Sequence, residues 1–283
     1  MHFRTIRTLG LAAVILGLGA FAYGRATEVP TRALRTITIT TLDFAFQAPD
    51  TLEEGPVTIH LVNEGRELHH AWLFRLGGGH TLDETFAAFK STGKLPAWVK
   101  EFGGPNASHP QGGESSATVV LEPGNYVMAC LIPATDRIPH LMKGMVRQFT
   151  VIPAADKAAD PKADVVVTLE DFAFTFSRSL KSGKQVIAVQ NHGSQSHEVV
   201  LVKLVPGKTV HDVIASIEDR NAEQAGMPIG GVTPMSVGET NWISVDLEPG
   251  HYGLICFIPD QRGDGKPHFM HGMTKEFEAG QGS

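Results

Sequence analysis

The stretch Cys256-FIPDQRGDGKP-His268-FMHG-Met273 holds one of the chain's two cysteines, then a histidine and a methionine, within a short span. The same order stands in Cys130-LIPATDRIP-His140-LMKG-Met145. A soft thiolate, an imidazole and a thioether suit a copper ion that alternates between Cu(I) and Cu(II). One such cluster is a weak signal. Two in register make the chain a repeat, and a repeat decides the fold before any local propensity does.

Working outward, LDFAFQAPDTL from Leu42 matches EDFAFTFSRSL from Glu170, 128 residues on. VNEGRELHH from Val62 matches QNHGSQSHE from Gln190 at the same offset. LEPGNYVMACLIP from Leu121 and LEPGHYGLICFIP from Leu247 lie 126 apart, and HLMKGMVRQF from His140 meets HFMHGMTKEF from His268 back at 128. The slip of two arises because the second Cys–His loop is two residues longer. The matches predict two domains, 35–153 and 164–279, joined by a linker at 154–163 rich in Ala, Pro and charge.

Within each unit the pattern is β. TITITTLDFAF and DVVVTLEDFAF carry β-branched and aromatic residues, and VTIHLVN, QVIAVQN, ATVVLEPG and WISVDLEPG alternate. Pro123-Gly124 and Pro249-Gly250 are turn signals just ahead of the strand that delivers each cysteine. One segment per unit breaks the pattern. Thr81 and Glu84 form a capping box ahead of Phe86 and Phe89, and Thr209 caps a face made of Val210, Val213, Ile214 and Ile217. These predict a short amphipathic helix inserted in each unit and packed on its sheets. The expected fold class is all-β, two tandem Greek-key β-sandwiches.

The composition, 42% hydrophobic and 19% charged over 283 residues, is that of a globular chain. A net charge of −6 with no basic cluster excludes a nucleic-acid footprint, so no nucleic-acid partner is expected. Arg4 and Arg7 precede an apolar run from Leu9 to Phe21, and Ala20-Phe21-Ala22 offers a small-x-small cleavage site. Residues 1–26 therefore read as a signal peptide, with an uncleaved N-terminal anchor as the alternative and the only expected membrane attachment. The mature chain is expected to be exported, periplasmic or extracellular. Two cysteines in such a compartment also admit a disulfide, but that would need equivalent points of two repeats within about 7 Å, Cα to Cα. A metal-ligand role is the stronger reading.

The alignment pairs His69 with His197, each six residues after an Asn that ends a strand, Asn63 or Asn191. The turns read NEGRELH and NHGSQSH. This order resembles the cupredoxin family, the fold of plastocyanin and azurin, over both halves of the chain. In that family an Asn-x-Gly-type turn leads to the first copper His, and Cys, His and Met follow near the C-terminus. The resemblance implies two type 1-like copper sites: His69, Cys130, His140 and Met145, then His197, Cys256, His268 and Met273. Two His and one Cys would form the trigonal plane and Met a weak axial ligand. It further implies electron transfer or copper handling, with a redox partner or a copper donor or acceptor. Here nine and eleven residues separate Cys from His, against two to about four in the family. His70 and His271 have no matching His and are expected at the surface or behind the ligands.

Tandem cupredoxin domains also occur in copper nitrite reductases and small laccases, which add copper on His-x-His pairs and a His beside the Cys. This chain has neither, and no nucleophile elbow, HExxH or phosphate loop. The sequence therefore reads as a binding or electron-transfer protein and not an enzyme. A metal-free interaction module on the same fold is the alternative.

Overall fold

The computed structural model of the chain describes residues 32–156, 158–219 and 222–280. The N-terminal segment 1–26, expected as signal peptide or anchor, lies outside them. The alternating TITITTL becomes β1 (Arg35–Leu42), with Ile39 and Thr41 inward and Thr36 and Thr38 outward. After it come β2 (Ala45–Gln47), β3 (Thr51–Glu53), β4 (Gly55–Asn63) and β5 (Trp72–Leu76). The helix α1 (Leu82–Thr92) precedes β6 (Val99–Gly103), β7 (Gly113–Leu121), β8 (Gly124–Ala129) and β9 (Val146–Ile152). The second repeat gives β10 (Val165–Glu170), β11 (Ala173–Phe176), β12 (Gly183–Asn191), β13 (His197–Leu204) and α2 (Val210–Glu218). It closes with β14 (Gly226–Met235), β15 (Thr240–Leu247), β16 (Gly250–Ile255) and β17 (Thr274–Ala279).

These strands form two sheets, and each sheet runs through both repeats. One has the order β11-β10-β12-β15-β7-β4-β1-β2, the other β17-β16-β13-β14-β6-β5-β8-β9-β3. In each repeat the first strand lies parallel to a later neighbour, β1 with β4 and β10 with β12, while β4–β7 and β12–β15 are antiparallel. The chain crosses between sheets after β4, β6 and β7 in the first repeat and after β12, β14 and β15 in the second, with a further excursion in the first repeat where β3 joins the other sheet, so each repeat is a Greek-key sandwich. The repeats join edge to edge where Thr118 pairs with Trp242, Phe102 with Met235 and Pro105 with Val232.

Inward faces build two apolar cores, one around Ile39, Ile59, Leu61, Leu121 and Met128, the other around Leu169, Val189, Leu201 and Leu254. The repeated LEPGxY ties each turn to its sandwich. Tyr126 Oη donates to the Glu122 carbonyl at 2.9 Å, and Tyr252 Oη to that of Glu248 at 2.8 Å. Both cysteines are buried and free, so no disulfide links the repeats.

The helices form where the caps predicted them. Thr81 and Glu84 make the expected capping box, and Thr209 makes a second with Asp212. Their packing differs from the expectation. In α1 Thr85 is the buried residue, and Phe89 is 45% exposed; in α2 Val210 and Val213 are buried, but Ile217 is 56% exposed. Each helix touches the sandwich along a narrower stripe than its apolar pattern spans.

Candidate metal centres

Each first histidine is placed by the Asn turn. Asn63 Oδ1 accepts the Gly65 N–H at 2.9 Å, and its amide donates to the carbonyls of Glu67 and Ser108, both at 2.8 Å. Asn191 does the same with Gly193, Gln195 and Met235, at 3.0, 2.9 and 2.8 Å. Both Asn side chains are buried, so this satisfied network fixes the path of the chain into His69 and His197. Gly is required in the turn because a polar pair passes over its Cα. A Cβ on Gly193 would sit 2.5 Å from His197 Nε2 and 2.7 Å from Asp171 Oδ1; on Gly65, 2.8 Å from His69 Nε2 and 2.9 Å from Asp43 Oδ1.

Cys130 follows β8 and Cys256 follows β16, each with its N–H on the carbonyl of Met145 or Met273 at 3.3 Å. The long Cys–His loops close on themselves at their bases. Pro133 pairs with Pro139 and Pro259 with Pro267, and the His140 and His268 N–H groups return to the Ile132 and Ile258 carbonyls at 3.0 and 2.8 Å. The next N–H groups, Leu141 and Phe269, bond the Cys130 and Cys256 carbonyls at 2.7 and 3.0 Å. The extra residues are thus a side excursion, and His lands beside Cys as a short loop would place it. A single 3₁₀ turn, His140–Lys143 or His268–His271, ends in Gly144 or Gly272 and hands over to the methionine.

All eight expected ligands are fully buried. In the first set His69 Nδ1 and His140 Nδ1 lie 3.1 Å apart, with Cys130 Sγ at 3.9 and 3.4 Å from them. In the second, His197 Nδ1 and His268 Nδ1 are 3.0 Å apart and Cys256 Sγ is 3.4 Å from His268 Nδ1. The imidazole pairs have the same geometry, with centroids 4.7 Å apart and planes at 57° and 58°. Met145 and Met273 sit in the same apolar cores as the cysteines, and their N–H groups bond the His140 and His268 carbonyls at 3.0 Å. Two imidazole nitrogens and a thiol therefore converge in each repeat, a donor set that fits copper.

Groups that the sequence did not single out surround these donors. Phe44 and Phe172, equivalent members of the LDFAF and EDFAF repeats, set ring edges against His140 and His268 at 5.2 and 5.3 Å. Glu67 Oε2 takes His140 Nε2 at 2.9 Å, whereas in the second set Asp171 Oδ1 takes His197 Nε2 at 3.0 Å. The two centres are thus braced on opposite histidines: Gln195 stands where Glu67 would be, and Asp43, the counterpart of Asp171, accepts the Arg66 N–H at 2.7 Å. A carboxylate on Nε2 holds the proton there and leaves the Nδ1 lone pair facing inward. His70 is buried and bonded to protein groups at both ring nitrogens; His271 is exposed beside Asp264. Both fit the expectation of positions behind or outside the ligands.

Burial, and then the facing His140, lowers His69 to about 4; burial, and then His197, does the same to His268. Burial also lowers His197, with Asp171 opposing it. Burial pushes the Cys130 thiol up to about 12 and raises Cys256 as well. Burial raises the Asp171 carboxyl, but the Ser194 hydroxyl and amide and His197 outweigh it and bring it to about 2.

No family model and no curated protein matches this sequence. Among solved structures, the reduced auracyanin of Roseiflexus castenholzii aligns with 42% of this chain and 97% of its own, at 23% identity and a TM-score of 0.29. A multicopper oxidase aligns over 87% of this chain and 88% of its own, at 14% identity and 0.26. The Cu-containing nitrite reductase of Thermus scotoductus aligns over 79% and 58%, at 13% and 0.25. Such scores carry no argument about this chain's chemistry. They do correct one expectation, that the chain is not an enzyme: the matched structures include an oxidase and a reductase beside auracyanin, so missing His-x-His pairs do not settle that question. On its own strand order and donor placement, the fold is two cupredoxin-like β-sandwiches in tandem.

Proposed function

We propose that this chain is an exported copper protein that holds copper in one or both units, 35–153 and 164–279, and transfers electrons or hands copper on. The ligands would be His69, Cys130, His140 and Met145 in the first and His197, Cys256, His268 and Met273 in the second. The observation that carries this is the convergence, twice, of two buried Nδ1 atoms about a buried thiol. Bound copper would supply a one-electron couple. The residues supply the rest. Asn63 and Asn191 fix the first histidines, Glu67 and Asp171 orient one imidazole each, and the closed loops bring the second histidines to the cysteines. Apolar packing keeps water from the donors. Export rests on Arg4, Arg7 and the Leu9–Phe21 run.

The test is Cu(II) added to purified mature chain, with bound metal and visible spectrum recorded. An intense thiolate-to-copper band is expected, reduced in Cys130→Ser, reduced in Cys256→Ser and absent from the double variant. Folded, reduced protein that takes up no copper would overturn the proposal. Sequencing the N-terminus of the exported protein tests cleavage after Ala22.

A further inference from the structure

Between the two donor sets runs a line of buried polar side chains, His70, Asn106 and Glu198. His70 follows the ligand His69 and is 4% exposed; Glu198 follows the ligand His197 and is 5% exposed. The Leu131 N–H, next to Cys130, donates to His70 Nε2 at 2.8 Å. The Phe257 N–H, next to Cys256, donates to Glu198 Oε1 at 3.1 Å. In each repeat, then, the residue after the first histidine receives the amide of the residue after the cysteine.

These two side chains meet through Asn106, itself 2% exposed, at the junction of the repeats. Its Oδ1 lies 3.2 Å from His70 Nδ1, and its Nδ2 donates to Glu198 Oε2 at 3.3 Å. The backbone fixes every role in the line. An amide N–H can only donate, so His70 Nε2 accepts and the neutral ring carries its proton on Nδ1. Asn106 Oδ1 then accepts, its amide donates onward, and both Glu198 oxygens accept. Asn106 is held in this orientation because the Val199 and Val232 carbonyls, at 3.3 and 3.4 Å from Nδ2, share its two amide hydrogens with Glu198. A buried network pays for itself only when every member is satisfied, as here.

We infer that His70, Asn106 and Glu198 form a relay that couples the two donor sets electronically, so that one electron passes within the chain between them. The inference rests on copper occupying both sets as proposed above. The relay starts and ends one peptide unit from each thiolate, the most covalent ligand of such a site. Hydrogen bonds replace through-space gaps at each junction between side chains. With copper in both sets, one ion would pass from Cu(I) to Cu(II) as the other passed from Cu(II) to Cu(I), so the electron count balances within the chain. No bond is broken and no proton changes place.

The test uses the full mature chain loaded with copper, wild type beside Asn106→Leu and Glu198→Gln. Asn106→Leu removes both junctions. Glu198→Gln keeps the acceptor for the Phe257 N–H and turns an amide toward Asn106, and it remains readable if the leucine variant folds poorly. Each centre's absorption and EPR signals are assigned with Cys130→Ser and Cys256→Ser. Half-reduced wild type is expected to redistribute its electron at a rate independent of protein concentration. That phase slows by about tenfold or more in either relay variant, with copper content and spectra retained. In metal-free protein, nitrogen NMR reports the relay without any copper: His70 is expected as the Nδ1–H tautomer with a slowly exchanging proton, lost in Asn106→Leu. Unchanged redistribution in both variants, or a His70 protonated on Nε2, overturns the relay while leaving the copper sites standing. Failure of both sets to take copper overturns the function proposed above, and the relay with it.

Discussion

At the scale of single residues the two centres share their donors and differ in what holds them. Glu67 braces His140, and Asp171 braces His197. Loss of such an outer partner typically costs about ten- to hundredfold in metal affinity. Asp171→Asn is therefore expected to weaken copper at the second set by about that factor and leave the first unchanged, as read by competition with a chromophoric chelator in the Cys130→Ser and Cys256→Ser backgrounds. Gly193→Ala should act in the same direction, since its Cβ would wedge between His197 Nε2 and Asp171 Oδ1. A second prediction concerns protons. With Cys130 pushed up to about 12 and His69 down to about 4, the metal-free first site holds a neutral thiol and a neutral His69 near pH 7. Copper(II) needs the thiolate, so binding releases about one proton per site and tightens as pH rises. Calorimetry of Cys256→Ser protein in two buffers of different ionisation enthalpy checks the count; release of none would contradict a thiolate ligand. The donors were legible in sequence because Cys, His and Met are scarce and recurred in register. Their braces were not, because Glu67 has no counterpart carboxylate at Gln195 and Asp171 lies far away in sequence.

At the scale of elements, strands and caps were the legible part. Alternation such as TITITTL declares which side of a strand faces the core, and Thr-x-x-Glu declares a helix start. Both caps form, so Thr81→Ala and Thr209→Ala are each expected to cost about 1 kcal/mol of stability, measured by urea unfolding, without altering either metal spectrum. What the apolar pattern of α1 and α2 could not give was how deeply each helix docks. Phe89 and Ile217 look like core residues by spacing, yet both are exposed. The Cys–His loops are a similar case. Their length in sequence implies reach, but the Pro133–Pro139 and Pro259–Pro267 pairings cancel it, and such pairing depends on backbone geometry that composition does not encode.

At the scale of the whole molecule the repeat explains each sandwich but not their union. Internal symmetry predicts two equal units; it does not say that β7 meets β15 and β6 meets β14 to make both sheets continuous. The residues of the junction break the symmetry, since a surface between two different edges cannot be repeated in each. Glu101 is one of them. Its N–H donates to Ser236 Oγ at 2.9 Å, and its carboxylate accepts from the Ser196 hydroxyl just ahead of His197. Burial raises this carboxyl from 4.5 to about 7, with Ser196 opposing the shift. A carboxyl raised on folding binds its proton more tightly in the folded chain, so folding gains as pH falls and loses as pH rises through about 7. The contribution is complete below about pH 4.5 and is withdrawn between there and neutrality. Glu101→Gln keeps an acceptor for Ser196 and cannot ionise. Its unfolding free energy relative to wild type is thus expected to improve by about 2–3 kcal/mol between pH 4.5 and pH 8. Urea melts of metal-free protein at a series of pH values decide it. Because Glu198 titrates under the influence of the Glu101 charge, part of the change will pass through that neighbour. A difference between variant and wild type that stays flat with pH would mean that the junction admits enough water to hydrate the Glu101 carboxylate.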